Sequence, residues 1–480
     1  MKSLLLKLSK GSKPLSLKVA DAIREAIVNQ RITKGEKLPS TRTLANQLGV
    51  HRQTVMAGLD ELVAEGWIIS IPRKGYLVSD DVSPQASSNK TKKSQKLKEA
   101  YRWDFARTVN LEPFESKHSS KFNFQSGLPD LRLFPKKEFQ YYLSRAWKQN
   151  RPDDLGYNSP QGLNSTIEAV DICLRRVKNV SNRTTIITNG SQEAIYIAAQ
   201  LLIKQGDHVA IEDPGYPTAV ATFASLGAKI LPIPVDSNGI VPEALEKLVK
   251  KHRIKLLFIT PHHQFPTTST LSAPRRIRIL EIANKYNFPI LEDDYDHEFQ
   301  YRTKPISPIT SFDDEGRIIY IGTLSKVLFP SARIGFISVP KIFANNFMNY
   351  RRLTTHSNEF LLQKAISLWM LEGGFERHVY RMRKIYLNRL TEVEKKLHSL
   401  KSQGKELSWS TPAGGMAIWL NLHTDSTKVA QKALAKGVFV NPEQYYRLDG
   451  KAGTHIRLGF SNQEEDALKE GLNKLSEVLP

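Results

Sequence analysis

The sequence predicts an α/β protein made of two folded parts that a polar segment joins. In the first eighty residues, three short amphipathic helical patterns precede two β-type runs and the turn between them. Beyond Phe122, short apolar runs rich in β-branched residues alternate with helical segments, which is typical of a domain built on a largely parallel sheet. A length of 480 residues agrees with this division, because it exceeds what one ordinary core accommodates.

The composition predicts a cytoplasmic protein with a polyanionic partner. The single cysteine, Cys173, cannot form an internal disulfide, which favours a reducing compartment. The apolar run at residues 4–6 is too short for a signal peptide, and no window is long and apolar enough to span a bilayer, so no membrane partner is expected. The net charge of +21 calls for a polyanionic partner, with nucleic acid as the obvious candidate, or for a very well solvated surface.

The first predicted domain covers residues 1–79. Apolar residues at helical spacing and the breakers Gly49 and Gly66 predict three helices, the second of them capped by Ser40. The first helix is predicted over Leu17–Asn29, the third over His51–Glu65, and two strands over residues 67–71 and 75–78. Three helices followed by a hairpin with a basic tip have the layout of a winged helix-turn-helix.

In that layout the third helix enters the major groove of DNA, and its first residues face bases and phosphates. The turn between the two strands reaches the DNA backbone. The residues expected to contact DNA are the polar or basic ones at these positions, together with the glycine of the turn: Arg42, His51, Arg52, Gln53, Thr54, Lys74 and Gly75. A small helical domain whose polar face is merely solvated is the alternative.

Residues 15–79 resemble the DNA-binding domain of GntR-type regulators. The resemblance rests on the run Ile32 to Ala45 (ITKGEKLPSTRTLA) and on the run Leu48 to Val55 (LGVHRQTV). His51 stands where those proteins usually have serine or threonine. The resemblance implies that the partner is double-stranded operator DNA.

A flexible basic linker is predicted over residues 80–121, because this segment is polar and turn-forming and is lysine-dense between residues 90 and 98. The second domain is predicted over residues 122–480, with a smaller α+β lobe from about 375 to 480. Its expected strands are Thr184–Thr188, His208–Glu212, Ile230–Val235, Lys255–Thr260, Phe288–Glu292, Ile318–Ile321 and Arg333–Val339.

Lys326 follows the carboxyl end of one of these strands, where α/β domains place their sites. Its amine can condense with an aldehyde cofactor, and Thr323, Ser325 and Arg333 beside it can hold an anchoring phosphate. A surface lysine at the start of a helix is the alternative, so the assignment depends on the other strand ends.

Those strand ends carry the remaining parts of a site for pyridoxal phosphate. A helix start at Gly190-Ser191-Gln192 offers backbone N–H groups to a phosphate, and Tyr216 offers a ring for stacking. The run Glu292-Asp293-Asp294-Tyr295-Asp296 offers a carboxylate and a phenol, which the ring nitrogen and the phenolate oxygen of the cofactor need. No metal site is predicted, because the adjacent His262 and His263 alternate faces of an extended chain and make a poor chelate.

Residues 122–480 resemble the fold-type I aminotransferases, the pyridoxal-phosphate-dependent transferases of the aspartate aminotransferase type. The resemblance implies an internal aldimine at Lys326 and an Asp293 carboxylate that pairs with the pyridinium nitrogen. It implies that Tyr295 hydrogen-bonds the phenolate oxygen, with Gln264 or His263 beside it. It implies that Tyr157, in the run GYNSPQGL, reaches the phosphate of a partner subunit, and hence a homodimer. The phosphate would be surrounded by Gly190, Ser191, Gln192, Thr323, Ser325 and Arg333.

The resemblance also implies that Arg457, in the run IRLGF, grips a substrate carboxylate. The sequence departs from the family at Thr268, where glycine is usual, and at His263-Gln264-Phe265, which replaces the common asparagine. These departures predict at most slow or partial transamination.

The two resemblances together identify the chain as similar to the MocR subfamily of bacterial transcription regulators. The runs Gly127 to Pro135 (GLPDLRLFP) and Asp293 to Phe299 (DDYDHEF) are typical of it. The expected function is a DNA-binding regulator that senses pyridoxal phosphate, or an amine or amino acid that replaces Lys326 on the cofactor. The alternatives are a working aminotransferase with an accessory DNA-binding domain, and a regulator whose second domain only dimerises.

Overall fold

The computed structural model describes residues 6–9, 11–81, 120–125, 127–302, 306–357 and 359–480. The chain divides into two compact units, Met1–Asp104 and Phe105–Pro480. Most of the predicted linker, residues 82–119, lies outside the described residues. Among the described residues, no helix combines the length and the hydropathy needed to cross a membrane.

The first unit has the predicted order of three helices and a hairpin. Its elements are α1 (Leu15–Val28), α2 (Thr41–Leu48), α3 (Arg52–Ala64), β1 (Ile68–Ile71) and β2 (Gly75–Val78). Ser40 caps α2, since its hydroxyl accepts a hydrogen bond from the Thr43 backbone N–H. The strands pair antiparallel, with Ile68 opposite Val78. The winged helix-turn-helix predicted from the sequence is confirmed.

The second unit alternates strands and helices through its first two thirds. The helices there are α4 (Lys136–Lys148), α5 (Asn164–Lys178), α6 (Ser191–Leu202), α7 (Pro217–Ser225), α8 (Pro242–Lys251), α9 (Ala273–Tyr286), α10 (Lys341–Thr354) and α11 (Phe360–Leu371). The strands there are β3 (Phe122–Asn123), β4 (Thr184–Thr188), β5 (His208–Asp213), β6 (Lys229–Asp236), β7 (Gly239–Ile240), β8 (Ile254–Ile259), β9 (Ile290–Asp294), β10 (Ile318–Thr323) and β11 (Gly335–Val339).

Eight of these strands form one sheet in the order β4-β11-β10-β9-β8-β5-β6-β7. Pairing is parallel from β10 through β9, β8 and β5 to β6, whereas β11 is antiparallel to both β4 and β10. Consequently β4, β5, β8, β9 and β10 all end at the edge where β11 begins. Loops that are far apart in the sequence meet at this edge.

Helices cover both faces of this sheet, which explains why its central strands supply apolar residues to a core on each face. On β10, Ile319 and Ile321 pack into a cluster with Ala194 and Phe347, from α6 and α10. Ile318, the first residue of the same strand, belongs to a second cluster, with Ile279 and other residues of α9. The predicted α/β domain on a largely parallel sheet is confirmed.

The last third of the second unit begins with the long helix α12. Its elements are α12 (Gly374–Ser402), β12 (Ser408–Trp409), β13 (Ala417–Asn421), α13 (Ser426–Ala435), β14 (Val438–Phe439), β15 (Asn441–Pro442), β16 (His455–Gly459) and α14 (Glu465–Ser476). Four strands form an antiparallel sheet in the order β12-β13-β16-β15. The short β3 pairs in parallel with β14, so residues 122–123 pack on this C-terminal part of the fold.

Candidate functional site

A cavity of about 320 Å³ lies where the strands of the large sheet end. It is lined by side chains from the loops that follow β4, β5, β8, β9 and β10 and by residues of the C-terminal part. Nine of the predicted site residues line it: Ser191, Gln192, Tyr216, Asp293, Tyr295, Thr323, Ser325, Lys326 and Arg333. The chain thus brings the greater part of the predicted site into one enclosed space.

Lys326 projects into this cavity from the loop after β10. Its ammonium Nζ donates a 2.7 Å hydrogen bond to the carbonyl of Gly127. Burial lowers the pKa of Lys326, although the carboxylates of Asp296 and Asp293 oppose the shift. The contact requires glycine at 127, because its φ is +78° and a Cβ there would lie 3.3 Å from Nζ. A lysine with a lowered pKa is a better amine nucleophile at neutral pH.

Asp293 is the next-to-last residue of β9 and is 4% exposed. Burial raises the pKa of its carboxyl to about 7, and the neighbouring Asp294 adds to the shift while Lys326 opposes it. The Oδ1 atom has no hydrogen-bond partner among the described residues. A buried carboxylate with an unsatisfied oxygen is suited to an N–H⁺ group entering the cavity.

Aromatic rings form one wall of the cavity around Phe265. The Phe265 ring lies edge-on to Tyr216 at 5.4 Å, to Tyr295 at 5.9 Å and to Tyr446 at 5.4 Å between centroids. The Tyr295 hydroxyl donates a 2.8 Å hydrogen bond to the His263 carbonyl, and burial raises the pKa of this phenol. The phenol of Tyr295 therefore stays protonated, and the His263 carbonyl accepts its one O–H hydrogen.

The opposite wall carries hydroxyl, amide and guanidinium groups suited to a phosphate. Ser191 and Gln192 begin α6, where free backbone N–H groups point outward. The Thr323 hydroxyl donates to Ser325 Oγ at 3.0 Å, and Arg333 Nη2 donates to the Asn189 carbonyl at 2.8 Å.

Gly190 does not line the cavity, but its lack of a side chain leaves space for the Arg333 guanidinium. Its φ is +81°, and a Cβ at this position would lie 2.9 Å from Arg333 Nη2. A side chain at residue 190 would therefore displace the guanidinium.

His263 and Gln264 lie behind the cavity wall rather than on it. His263 is 1% exposed, and its ring nitrogens lie 2.7 Å from Asp296 Oδ1 and 2.9 Å from Gln300 Oε1. Although burial opposes the charge, Asp296 raises the pKa of this imidazole. Gln264 Nε2 donates to the Pro214 and Phe265 carbonyls at 2.9 and 2.8 Å. Both side chains hold the loop that carries Phe265.

Arg457 lies directly beneath Phe265 and is 1% exposed. Its guanidinium stacks on the Phe265 ring, 4.6 Å from the centroid, and Nη1 donates to the Pro266 carbonyl. It is therefore next to the cavity but covered by an aromatic ring. Tyr157 also does not line the cavity, since its side chain is 92% exposed.

The sequence did not single out several residues that line the cavity. In the sequence, Phe265 belongs only to the run His263-Gln264-Phe265, which departs from the family, and Gly127 only to the run Gly127 to Pro135. Gln125, Asn441, Tyr445 and Tyr446 also contribute to the lining. The Tyr445-Tyr446 pair was the one available signal for the C-terminal wall, but its spacing predicts no particular chemistry.

The predicted DNA-contacting residues lie at the start of α3, on α2 and in the hairpin turn of the first unit. Arg42, Arg52, Gln53 and Lys74 are exposed, and Arg52 Nε donates to the Thr41 hydroxyl at 3.1 Å. His51 caps α3, because Nδ1 accepts a 3.4 Å hydrogen bond from the Gln53 backbone N–H. The remaining predicted positions lie beside these: Thr54 in the first turn of α3 and Gly75 at the start of β2.

Two family models match the chain. Aminotransferase class I and II matches residues 121–475, and bacterial regulatory proteins of the gntR family match residues 15–78. The chain is 28% identical to the probable rhizopine catabolism regulatory protein MocR of Rhizobium meliloti, over 96% of this chain and 93% of that protein. It is also 28% identical to the HTH-type transcriptional regulator TauR of Rhodobacter capsulatus, over 98% of this chain and 97% of that protein.

Solved structures of aminotransferases are similar to the second unit, in agreement with the family match. Kynurenine aminotransferase of Pyrococcus horikoshii superposes with a TM-score of 0.71 at 28% identity, over 74% of this chain and 90% of that chain. Aminotransferases of this fold use pyridoxal phosphate as their cofactor, which agrees with the donor set around Lys326 and Asp293. The chain belongs to the aminotransferase class I and II family and joins that domain to a gntR-type DNA-binding domain, the architecture of the MocR- and TauR-type transcription regulators.

Proposed function

We propose that this transcription regulator holds pyridoxal phosphate at Lys326 and changes its DNA binding when the cofactor, or an amine or amino acid that competes with Lys326, occupies the site. The observation that carries the proposal is the cavity that brings Lys326, Asp293 and Tyr295 together with a phosphate-binding wall. DNA would be bound by the first unit, through the exposed residues at the start of α3 and in the hairpin turn. A DNA partner in turn places the protein in the cytoplasm.

Each residue of the cavity has a proposed task. Bound pyridoxal phosphate supplies an aldehyde that exchanges reversibly between primary amines. Lys326 provides the resident amine, and Asp293 pairs its buried carboxylate with the ring nitrogen. Tyr295 would turn its one O–H from the His263 carbonyl toward the phenolate oxygen, and Tyr216 would stack on the ring. The phosphate is held by the α6 N-terminus and the hydroxyl and guanidinium groups of the opposite wall: Gly190, Ser191, Gln192, Thr323, Ser325 and Arg333.

His263 and Gln264 are proposed to position the site. His263 presents its carbonyl to the Tyr295 hydroxyl at 2.8 Å, while its ring is held by Asp296 and Gln300. Gln264 accepts from the Thr267 backbone N–H and hydroxyl at 3.0 and 2.7 Å. These bonds fix the loop between β8 and α9 and therefore the place of Phe265.

Arg457 gives the site a way to distinguish an amino acid from a simple amine. A carboxylate reaching Arg457 must displace Phe265, whose ring covers the guanidinium. Phe265 also packs against Tyr216, Tyr295 and Tyr446, so its displacement would disturb the whole aromatic wall. Binding energy at Arg457 would then be converted into a change of conformation.

A homodimer is part of the proposal, because Tyr157 is too exposed to serve its own cavity. At 92% exposure, its hydroxyl is free to reach the phosphate site of a second copy. Two DNA-binding units on one dimer would suit paired half-sites on operator DNA.

The test is to purify the full chain, add pyridoxal phosphate and record the visible spectrum. Borohydride reduction followed by peptide mapping should leave the label on Lys326, and Lys326→Ala should take up no borohydride-stable label. A protein that remains colourless with added cofactor would refute the proposal. A panel of amines and amino acids with a keto-acid acceptor addresses catalysis, for which slow or partial transamination is expected. Sustained turnover at about 1 per second or faster would instead indicate a working aminotransferase.

A further inference from the structure

A second polar cluster, formed by His262, Asp294 and His297, lies outside the cofactor cavity. The three residues are 3%, 2% and 1% exposed, and none of them lines the cavity. One nitrogen of each histidine and one carboxylate oxygen all lie within 4.8 Å of one another. The two imidazole rings are 4.3 Å apart between centroids. His262 follows β8 and His297 follows β9, so the cluster joins two adjacent loops.

Five polar atoms of this cluster lack a hydrogen-bond partner within the described part of the chain. Both ring nitrogens of His262, both of His297 and Oδ1 of Asp294 have no hydrogen-bond partner among the described residues. His297 Nδ1 is 3.3 Å from Asp294 Oδ2, which is within ion-pair distance. Buried polar groups are rarely left without partners, so five such atoms in one place indicate a ligand that the described residues do not supply.

We propose that His262, Asp294 and His297 bind a divalent transition-metal ion, with zinc as the first candidate. Two imidazole nitrogens and one carboxylate oxygen form a ligand set that zinc commonly takes, with a fourth position left for water. The cluster is the only group of three or more histidine, cysteine, aspartate or glutamate ligands found in the described part of the chain.

The charges around Asp294 favour a cation. Its Oδ2 atom already accepts from Lys178 Nζ at 3.2 Å and from the Tyr320 hydroxyl at 2.5 Å, which leaves Oδ1 for the metal. Lys178 also lies 3.6 Å from Glu298 Oε1. The Lys178 ammonium is therefore paired with two buried carboxylates, which offset the repulsion that it exerts on a metal ion.

The proposed metal site is separate from the cofactor site but attached to it. Asp293 and Asp294 are consecutive in β9, so their side chains point to opposite sides of the strand. Asp293 lines the cavity, whereas Asp294 points toward Lys178 and Tyr320. A metal ion here would tie the loop after β8, which carries Phe265, to the loop after β9, which carries Tyr295.

The test is metal binding by the full chain without an affinity tag. Chelator-treated protein is dialysed against Zn²⁺ or Co²⁺, and the retained metal is measured by elemental analysis. About one ion per chain is expected, with a visible Co²⁺ spectrum typical of histidine ligation. His262→Ala and His297→Ala should each weaken binding by more than about tenfold, because a ligand is lost. Asp294 is left intact, because it also pairs with Lys178.

The matched controls are His208→Ala and His252→Ala. These histidines also lie with their rings 5.1 Å apart, but they belong to no three-ligand group among the described residues. Their substitution should leave metal binding unchanged. Wild-type protein that retains neither Zn²⁺ nor Co²⁺ overturns the proposal, and this result does not depend on any variant folding. The proposal is also overturned if His208→Ala or His252→Ala abolishes metal binding while His262→Ala retains it.

Discussion

Replacing Asp293 with asparagine tests whether this buried carboxylate is matched to a cationic ligand. Burial raises the pKa of Asp293 from 3.8 to about 7, a shift of about three units. The folded state therefore binds the proton of this carboxyl more tightly than the unfolded state does. As a result, the free energy of unfolding falls as the pH rises from about 4 to about 7. The ionised carboxylate in the cofactor-free protein then costs up to about 4 kcal/mol at pH 8. At pH 5 the same pKa shift costs only about 1.6 kcal/mol of the free energy of unfolding.

Cofactor-free Asp293→Asn protein should therefore unfold at higher urea than the wild type. Its advantage in free energy of unfolding should grow by up to about 3 kcal/mol between pH 5 and pH 8. Adding pyridoxal phosphate should reverse the order, because only the wild type gains an ion pair with the ring nitrogen.

Glu212→Gln is the matched control for Asp293→Asn. Burial raises the pKa of Glu212 to about 7 as well, but this residue does not line the cavity. Glu212→Gln should also make the free energy of unfolding less dependent on pH. It should gain as much stability from the cofactor as the wild type does. Equal pH slopes for wild-type and Asp293→Asn protein would refute the reasoning, as would an equal gain in stability from the cofactor.

Three further predictions concern DNA binding, the phosphate wall and a buried ion pair. Arg52→Ala and Lys74→Ala should each reduce the log–log salt slope of operator binding by about 0.9 in fluorescence anisotropy, whereas two unchanged slopes would exclude these phosphate contacts. Gly190→Ala should weaken cofactor binding by more than about tenfold in absorbance titrations, because its Cβ would displace Arg333; an unchanged affinity would remove Arg333 from the site. Lys178→Met should lower the free energy of unfolding by about 3–5 kcal/mol, because it leaves Asp294 buried without its cation; a loss below 1 kcal/mol would contradict this account of the pair.

The elements of the fold were largely predictable because their period is local. The run Thr184–Thr188 is β4 without change, and the predicted His208–Glu212 differs from β5 by one residue. Strand direction was not predictable in the same way, because alternation of apolar residues is the same in both directions. The antiparallel β11 between β4 and β10 therefore emerged only from the structure.

The candidate site was predictable where residues follow strand ends. Lys326, Asp293 and Tyr295 share the cavity because parallel strands end at one edge of the sheet. The cover of Phe265 on Arg457 was not predictable, since it depends on packing between residues almost two hundred positions apart. The proximity of His262 and His297 was not predictable for the same reason. These residues lie in different loops, whereas the sequence shows only that His262 and His263 are adjacent.

The most direct test of the proposed regulation is the effect of pyridoxal phosphate on DNA affinity. Duplexes selected by the protein from a random library are titrated with wild-type and Lys326→Ala protein, with and without the cofactor. The wild type should change its affinity by about 5- to 150-fold, the usual range for coupled sites, and Lys326→Ala should not respond. Equal responses of the two proteins, or an unresponsive wild type, would contradict the claim that occupancy at Lys326 controls DNA binding.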